Sequence, residues 1–198
     1  MKRYIFVLSL CAALTLALTA CSKQESTTES STKSAAASKP ADPLQAVASQ
    51  GKGFTVGAMM IAQTVYVMFD PQCPHCGHLW EASKPLQKKV KFVWVPVAII
   101  NSKSGPQGAA LLSAANPTEL MSTHEQSILA NQGGIAASAS VSPEIEAAIK
   151  QNTQLFTSMQ IDSVPYILAK NARTGQVVTN NGAMTTAALA DFVGVDQP

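Results

Sequence analysis

Cysteine is scarce in this chain. Its 198 residues contain four, Cys11, Cys21, Cys73 and Cys76, and only the last two lie beyond the opening segment. That excludes a small scaffold stapled by several disulfides. With no second Cys-x-x-Cys, a four-ligand zinc site is hard to build. Charge is sparse as well. Asp, Glu, Lys and Arg make up 13% of the chain, 14 basic residues stand against 12 acidic ones, and no basic stripe appears, so nucleic acid is not an expected partner. The apolar run from Ile5 to Leu18 is shorter than the roughly 20 residues a transmembrane helix needs. What remains is 46% hydrophobic, enough for the core of one domain with accessory segments.

The opening reads as a leader. Met1-Lys2-Arg3 is a positive start, Ile5 to Leu18 an apolar middle, and Leu18-Thr19-Ala20-Cys21 a close. The close resembles the lipobox of bacterial lipoproteins. The resemblance implies a signal peptide over 1–20, cleavage before Cys21, diacylglycerol on its sulfur and a membrane anchor. Ser22, in place of an Asp, points to the outer membrane. Loss of Lys2 and Arg3 with the leader leaves 12 basic against 12 acidic residues. Cys11 lies inside the leader and needs no function. Residues 22 to about 43 are mostly Ser, Thr, Lys, Gln, Glu and Ala without an aromatic. Such a stretch cannot bury enough apolar area to offset its ordering entropy. The expectation is a disordered tether over 21–50, reaching on the order of 25 Å, with a short helix from Leu44 to Ser49 before the folded domain at 51–198.

Chemistry concentrates in Asp70-Pro71-Gln72-Cys73-Pro74-His75-Cys76. The apolar run Thr64 to Phe69 leads in as a buried central strand, and a helical pattern leads out. A thiol attacks a disulfide only as thiolate, so the protein must lower its pKa. The first turn of a helix offers unpaired N–H groups and the positive end of the macrodipole, and Cys73 falls there. Pro74 suits the first helical position. Cys76, one turn on, shares the face of Cys73, so a disulfide forms and breaks with little backbone movement. His75 adds positive charge or an N–H beside the sulfur. Lowering a thiol from about 8.5 to about 3.5 would favour the ionised, reduced form by roughly 7 kcal/mol, and a stabilised reduced form makes an oxidising disulfide.

The rest of the chain supplies a frame. Phe54 to Val56 reads as an edge strand, and the first helix runs from Cys73 or Pro74 to about Lys89 with a kink at Pro85. Lys91 to Val97 reads as a strand parallel to the first, in a right-handed strand–helix–strand unit. Residues 105–160 read as a helical insertion without a catalytic motif, its third helix opened by Ser142-Pro143. Ile161 to Ala169 reads as a strand with Pro165 near its start, Gln176 to Thr179 as its antiparallel return, and Thr185 to Val193 as a closing helix. This is the order of a thioredoxin-like α/β fold with a helical insertion.

Phe69-Asp-Pro-Gln-Cys-Pro-His-Cys76, the helical insertion and Ser163-Val164-Pro165 together resemble the periplasmic disulfide-bond proteins, in particular the DsbC/DsbG isomerase branch. The resemblance covers about 51–198. It implies a thiol–disulfide oxidoreductase, oxidase or isomerase, with Cys73 as nucleophile, Cys76 as resolving cysteine and a reversible Cys73–Cys76 disulfide. It implies a cis-proline at Pro165, with Pro74, Val164 and Pro165 meeting substrate. Protein thiols and disulfides would be the substrates, a redox partner would reset the pair, and no cofactor or metal is required. The chain departs from the branch in having a tether where a dimerisation domain usually stands. The Pro-His pair and Val164 fit the oxidant DsbA better. Thioredoxin and DsbA also carry a buried acid six residues before the first cysteine, where this chain has Val67; a proton relay from that position is unavailable.

A different class of function is a redox-inert or copper-handling lipoprotein, with Cys73, His75, Cys76 and His78 as soft-metal ligands. His75 lies between the cysteines in sequence and points off their shared face, which weighs against it. His78 and His124 read as exposed helix residues, Trp80 and Trp94 as packing, and Met59, Met60 and Met68 as core filling.

Overall fold

The computed structural model describes residues 39–137 and 141–198. The leader, the lipobox with Cys21 and most of the tether lie outside the described residues. The fold begins ahead of residue 51. Helix α1 (Pro43–Gln50) is capped by Asp42, whose side chain accepts from Gln45 N, and has Pro43 at its first position. It buries Ala46 and Val47 against Met68, Val95, Leu155 and Phe156. The tether assigned to 21–50 therefore includes a segment that belongs to the core, because Ala46 and Val47, with Leu44 packed beside them, dock a helix that propensity alone would leave marginal.

Among the described residues five strands form one sheet: β1 (Phe54–Gly57), β2 (Thr64–Phe69), β3 (Lys91–Pro96), β4 (Tyr166–Lys170) and β5 (Val177–Asn181), in the order β1-β3-β2-β4-β5. Only β2 and β3 are parallel, and β2 sits at the centre with β4 antiparallel on its other side. Alternation along β2 sends Val65, Val67 and Phe69 to one face and Met68 to the other. Pro96 ends β3 and costs the ladder nothing there.

On the first face lie α2 (Pro74–Ser83) and α6 (Thr186–Val193), over a core that includes Trp80, Trp94, Phe69 and Leu189. Trp94 meets Phe69 edge to face at 5.5 Å and Trp80 at 5.2 Å. On the other face α1 packs with α5 (Pro143–Ser158), whose cap is Ser142. The insertion holds α3 (Ser104–Ser113) and α4 (Pro117–Leu129) besides α5, and α4 packs on α2.

Three expectations differ in detail. The first helix stops at Ser83 and gives a single tight turn over Lys84–Leu86, since Pro85 has no N–H to continue the helical ladder. Met68 is core, but Met59 and Met60 are 65% and 97% exposed in the loop after β1. His124 is fully buried, for reasons that belong to the site.

Candidate active site

The central strand delivers the site. Beyond Phe69, Asp70 is fully buried and works as a backbone acceptor: Oδ1 accepts from Gln72 N at 2.8 Å, and Oδ2 from Ile99 N at 2.7 Å and Ile100 N at 3.0 Å. It thereby ties the loop after β2 to the loop after β3. Cys73 N donates to Asp70 O at 3.0 Å, and Cys73 becomes the N-cap of α2, with Pro74 in the first turn. Cys76 follows with its N–H on Cys73 O at 3.0 Å.

Both cysteines are buried free thiols, the reduced state of the expected pair. Their acidities diverge. Cys73 is lowered from 9.0 to about 6. The largest cause is a hydrogen bond from the Cys76 side chain; the N–H groups of Cys76 and His75 add to it against the cost of burial, and the charge of His75 contributes least. At pH 7 a thiol with that pKa is about nine-tenths thiolate. The shift falls short of the lowest known thiols, because burial opposes it. Burial pushes the Cys76 thiol well up, and Cys73 and Glu125 push it further.

The peptide bond between Val164 and Pro165 is cis. Cys73 Sγ lies 3.5 Å from Val164 O, to which the thiol donates. Cys73, Cys76, Val164 and Pro165 thus converge, although 91 residues separate Cys73 from Val164. Pro74 and His75 are exposed on the outer side of the turn. His78 is exposed too, its ring centroid 6.3 Å from that of His75. The copper-handling alternative would need these two imidazoles and both sulfurs on one face, and the imidazoles face outward while the sulfurs are buried.

The insertion grips the site from the side. His124 Nε2 donates to Pro71 O at 2.6 Å, and its Nδ1 accepts from Ile135 N at 3.2 Å, so the ring is neutral, and burial holds its pKa below the ordinary value. Gln72 Nε2 donates to Gln107 Oε1 and to Gly133 O, and Gln107 Nε2 donates to Gly133 O and Ile135 O at 2.9 Å. Gly134, at φ +86°, leaves room for the His124 ring. Next to His124, Glu125 is fully buried. Its pKa is raised from 4.5 to about 9, first by burial and then by Cys73, Glu81 and Asp70.

Comparison with known proteins fits this geometry. No family model matches the chain. It is 31% identical over 138 residues to the thiol:disulfide interchange protein DsbG of Pseudomonas aeruginosa, covering 67% of this chain and 51% of that one. Against DsbG of Escherichia coli it is 28% identical over 121 residues, covering 58% and 47%. The chain is DsbC/DsbG-like. It spans about half the length of these curated relatives. The catalytic domain of Proteus mirabilis ScsC superposes with a TM-score of 0.58 at 15% identity, over 75% of this chain and 95% of that one. A periplasmic thioredoxin-like protein from Salmonella enterica serovar Typhimurium gives 0.58 at 18%, over 76% and 93%. These structures establish the thioredoxin-like fold.

Sequence reasoning missed Asp70 as a loop clamp, and it missed His124, Glu125 and Gln107. A signal for the helical pair was present: Met121, His124, Glu125 and Ile128 share one helical face, and that face is the buried one.

Proposed function

We propose that this DsbC/DsbG-like chain is a thiol–disulfide oxidoreductase of the periplasm, held to the membrane through lipid on Cys21. The observation that carries the reading is the unequal pair at the start of α2: Cys73, lowered to about 6 and facing Val164 O at 3.5 Å, beside a buried, less acidic Cys76. A thiolate at neutral pH is the attacking species in exchange. A substrate disulfide is attacked by Cys73, or a substrate thiolate attacks Cys73 in the disulfide form. Either way a mixed disulfide through Cys73 results, and Cys76 or a second substrate thiol resolves it. An extended substrate segment is presented to the backbone at Val164–Pro165 in the manner of an added strand. His75 tunes Cys73 as the smallest of several causes.

Substrates are protein thiols and disulfides, and a redox partner resets the pair. Stabilisation of the reduced form by the Cys73 thiolate supports a pair more oxidising than thioredoxin. The test is the equilibrium of Cys73–Cys76 with glutathione. A potential between about −120 and −200 mV fits donation or shuffling of disulfides, and one near −270 mV assigns a reductant instead. A pair that fails to equilibrate with glutathione refutes the reading.

A further inference from the structure

Glu125 makes no bond to the reacting sulfurs in the exchange at Cys73. It lies on α4, outside the sheet and outside the Cys-x-x-Cys turn, and its carboxylate faces inward. Among the described residues neither carboxylate oxygen has a hydrogen-bond partner. A buried ionised carboxylate without a partner is very costly, so such a group stays neutral or has a use for its proton. Its position is marked by Gly77, the residue after Cys76: a methyl placed on Gly77 would lie 2.9 Å from Glu125 Oε2 and 3.0 Å from Leu129 Cγ. Glycine at that point of α2 lets the carboxyl reach the helix backbone beside Cys76.

The groups facing Glu125 are Cys73 and Cys76 at the start of α2, Glu81 further along α2, and Asp70 in the loop before it. Helix α3, also packed on α4, carries no titratable residue. His124, its neighbour in α4, has both ring nitrogens engaged by Pro71 O and Ile135 N. No cation therefore stands ready to neutralise the carboxylate among these groups.

From this placement we infer that Glu125 is the proton carrier of the resolving cysteine, supplied by the helical insertion in place of an acid on the central strand, where Val67 stands. The inference rests on the interchange reading above. When a substrate thiolate attacks Cys73 Sγ in the disulfide form, the substrate–Cys73 bond forms, the Cys73–Cys76 bond breaks, and the electron pair leaves on Cys76. The Glu125 carboxylic acid gives its proton to that sulfur, and the carboxylate regains a proton from solvent. A second substrate thiolate then displaces Cys73, which departs as thiolate, and the substrate leaves oxidised. In the reverse direction the Glu125 carboxylate takes the Cys76 proton as Cys76 attacks Cys73 and expels the substrate thiolate. Neutral Glu125 at physiological pH suits the first direction, since the acid form is the one a leaving thiolate needs.

The test follows reduction of the Cys73–Cys76 disulfide by glutathione in wild type, Glu125→Gln and Glu125→Asp from pH 5 to 9, with rates divided by the concentration of glutathione thiolate. Wild type is expected to slow as Glu125 ionises at alkaline pH. Glu125→Gln should be slower on the order of a hundredfold at neutral pH and lose that inflection, and Glu125→Asp should recover part of the rate and the inflection. A Glu125→Gln profile that superimposes on wild type overturns the inference and leaves the interchange reading standing. Absence of exchange by the wild type overturns both. Should the Gln variant fail to fold, titration of the Glu125 carboxyl carbon by NMR in the wild type decides. Titration above pH 7 in the dithiol form, moving down on oxidation as the Cys73 charge is lost, supports it. Titration near 4.5 in both forms overturns it.

Discussion

Replacing Glu125 by Gln should change the way stability depends on pH, and the size of the change follows from the site. The carboxyl titrates near 4.5 in the unfolded chain and near 9 in the folded one. Between those values the folded state holds a proton that the unfolded state releases, so stability is fully present below pH 4.5 and declines as pH rises toward 9. The slope is about 1.4 kcal/mol per pH unit. By pH 7 this one side chain has cost roughly 3 kcal/mol, and the loss continues up to about pH 9. Cys73 acts in the opposite sense in the reduced protein: its pKa falls from 9.0 to about 6 on folding, so it adds stability as pH rises from 6 to 9. Across that window the two trends offset each other in the wild type. Glu125→Gln removes one trend and leaves the other. The advantage of the variant should therefore grow by roughly 3 kcal/mol between pH 5 and pH 7.5. A constant difference from packing or from an unmatched amide cancels from that comparison. Urea unfolding of both proteins, kept reduced, at several pH values measures it directly, as a midpoint shift of about 1–2 M that develops with pH. Parallel curves for the two proteins would refute a buried, neutral Glu125.

Three further outcomes are expected. Cys73→Ser should abolish exchange, whereas Cys76→Ser should accumulate mixed disulfides through Cys73, visible as thiol-sensitive adducts on gels; a Cys76→Ser protein that traps nothing would count against the mechanism. Asp70→Ala should destabilise the fold by about 3–5 kcal/mol, because three backbone N–H groups lose a charged acceptor; chemical denaturation checks this, and a loss below about 1 kcal/mol would mean that the loops hold without the clamp. Gly77→Ala sets two effects against each other. A helical Gly→Ala gains about 1 kcal/mol, but the new methyl meets Glu125 and Leu129 at 2.9 and 3.0 Å, at a cost of about 1–3 kcal/mol. A smaller net destabilisation in a Glu125→Ala background would establish the contact with Glu125, since only the Leu129 contact remains there, and an unchanged one would refute it.

The sequence was most legible where periodicity and special residues agreed. An apolar run, then Cys73 with Pro74 behind it, announced a strand feeding a helix, and the chain builds β2 and α2 there. Pro165 after Val164 sits where β4 begins, opposite Cys73. The boundary at residue 51 erred because α1 is short and is capped at Gly51, and only packing of Ala46 and Val47 on the far face of the sheet makes that helix part of the domain. Met59 and Met60 were assigned to the core by residue type, but they occupy a loop with no face to bury.

The insertion was the least legible part, for a physical reason. Its helices carry no motif, because their contribution is made one side chain at a time onto a loop tens of residues away: His124 to Pro71 O across 53 positions, Gln107 to Gln72 across 35. Local pattern contains no record of such partners. It does contain a contradiction that only partners can resolve. His124 and Glu125 occupy the stripe that Met121 and Ile128 mark as buried, and burying a histidine and a glutamate side by side without compensation is unfavourable. The histidine is compensated by two hydrogen bonds; among the described residues the glutamate has none. A polar residue that breaks the stripe and finds no partner is tolerated at a cost in stability, and the cost falls beside the one sulfur of the pair that must gain and lose a proton.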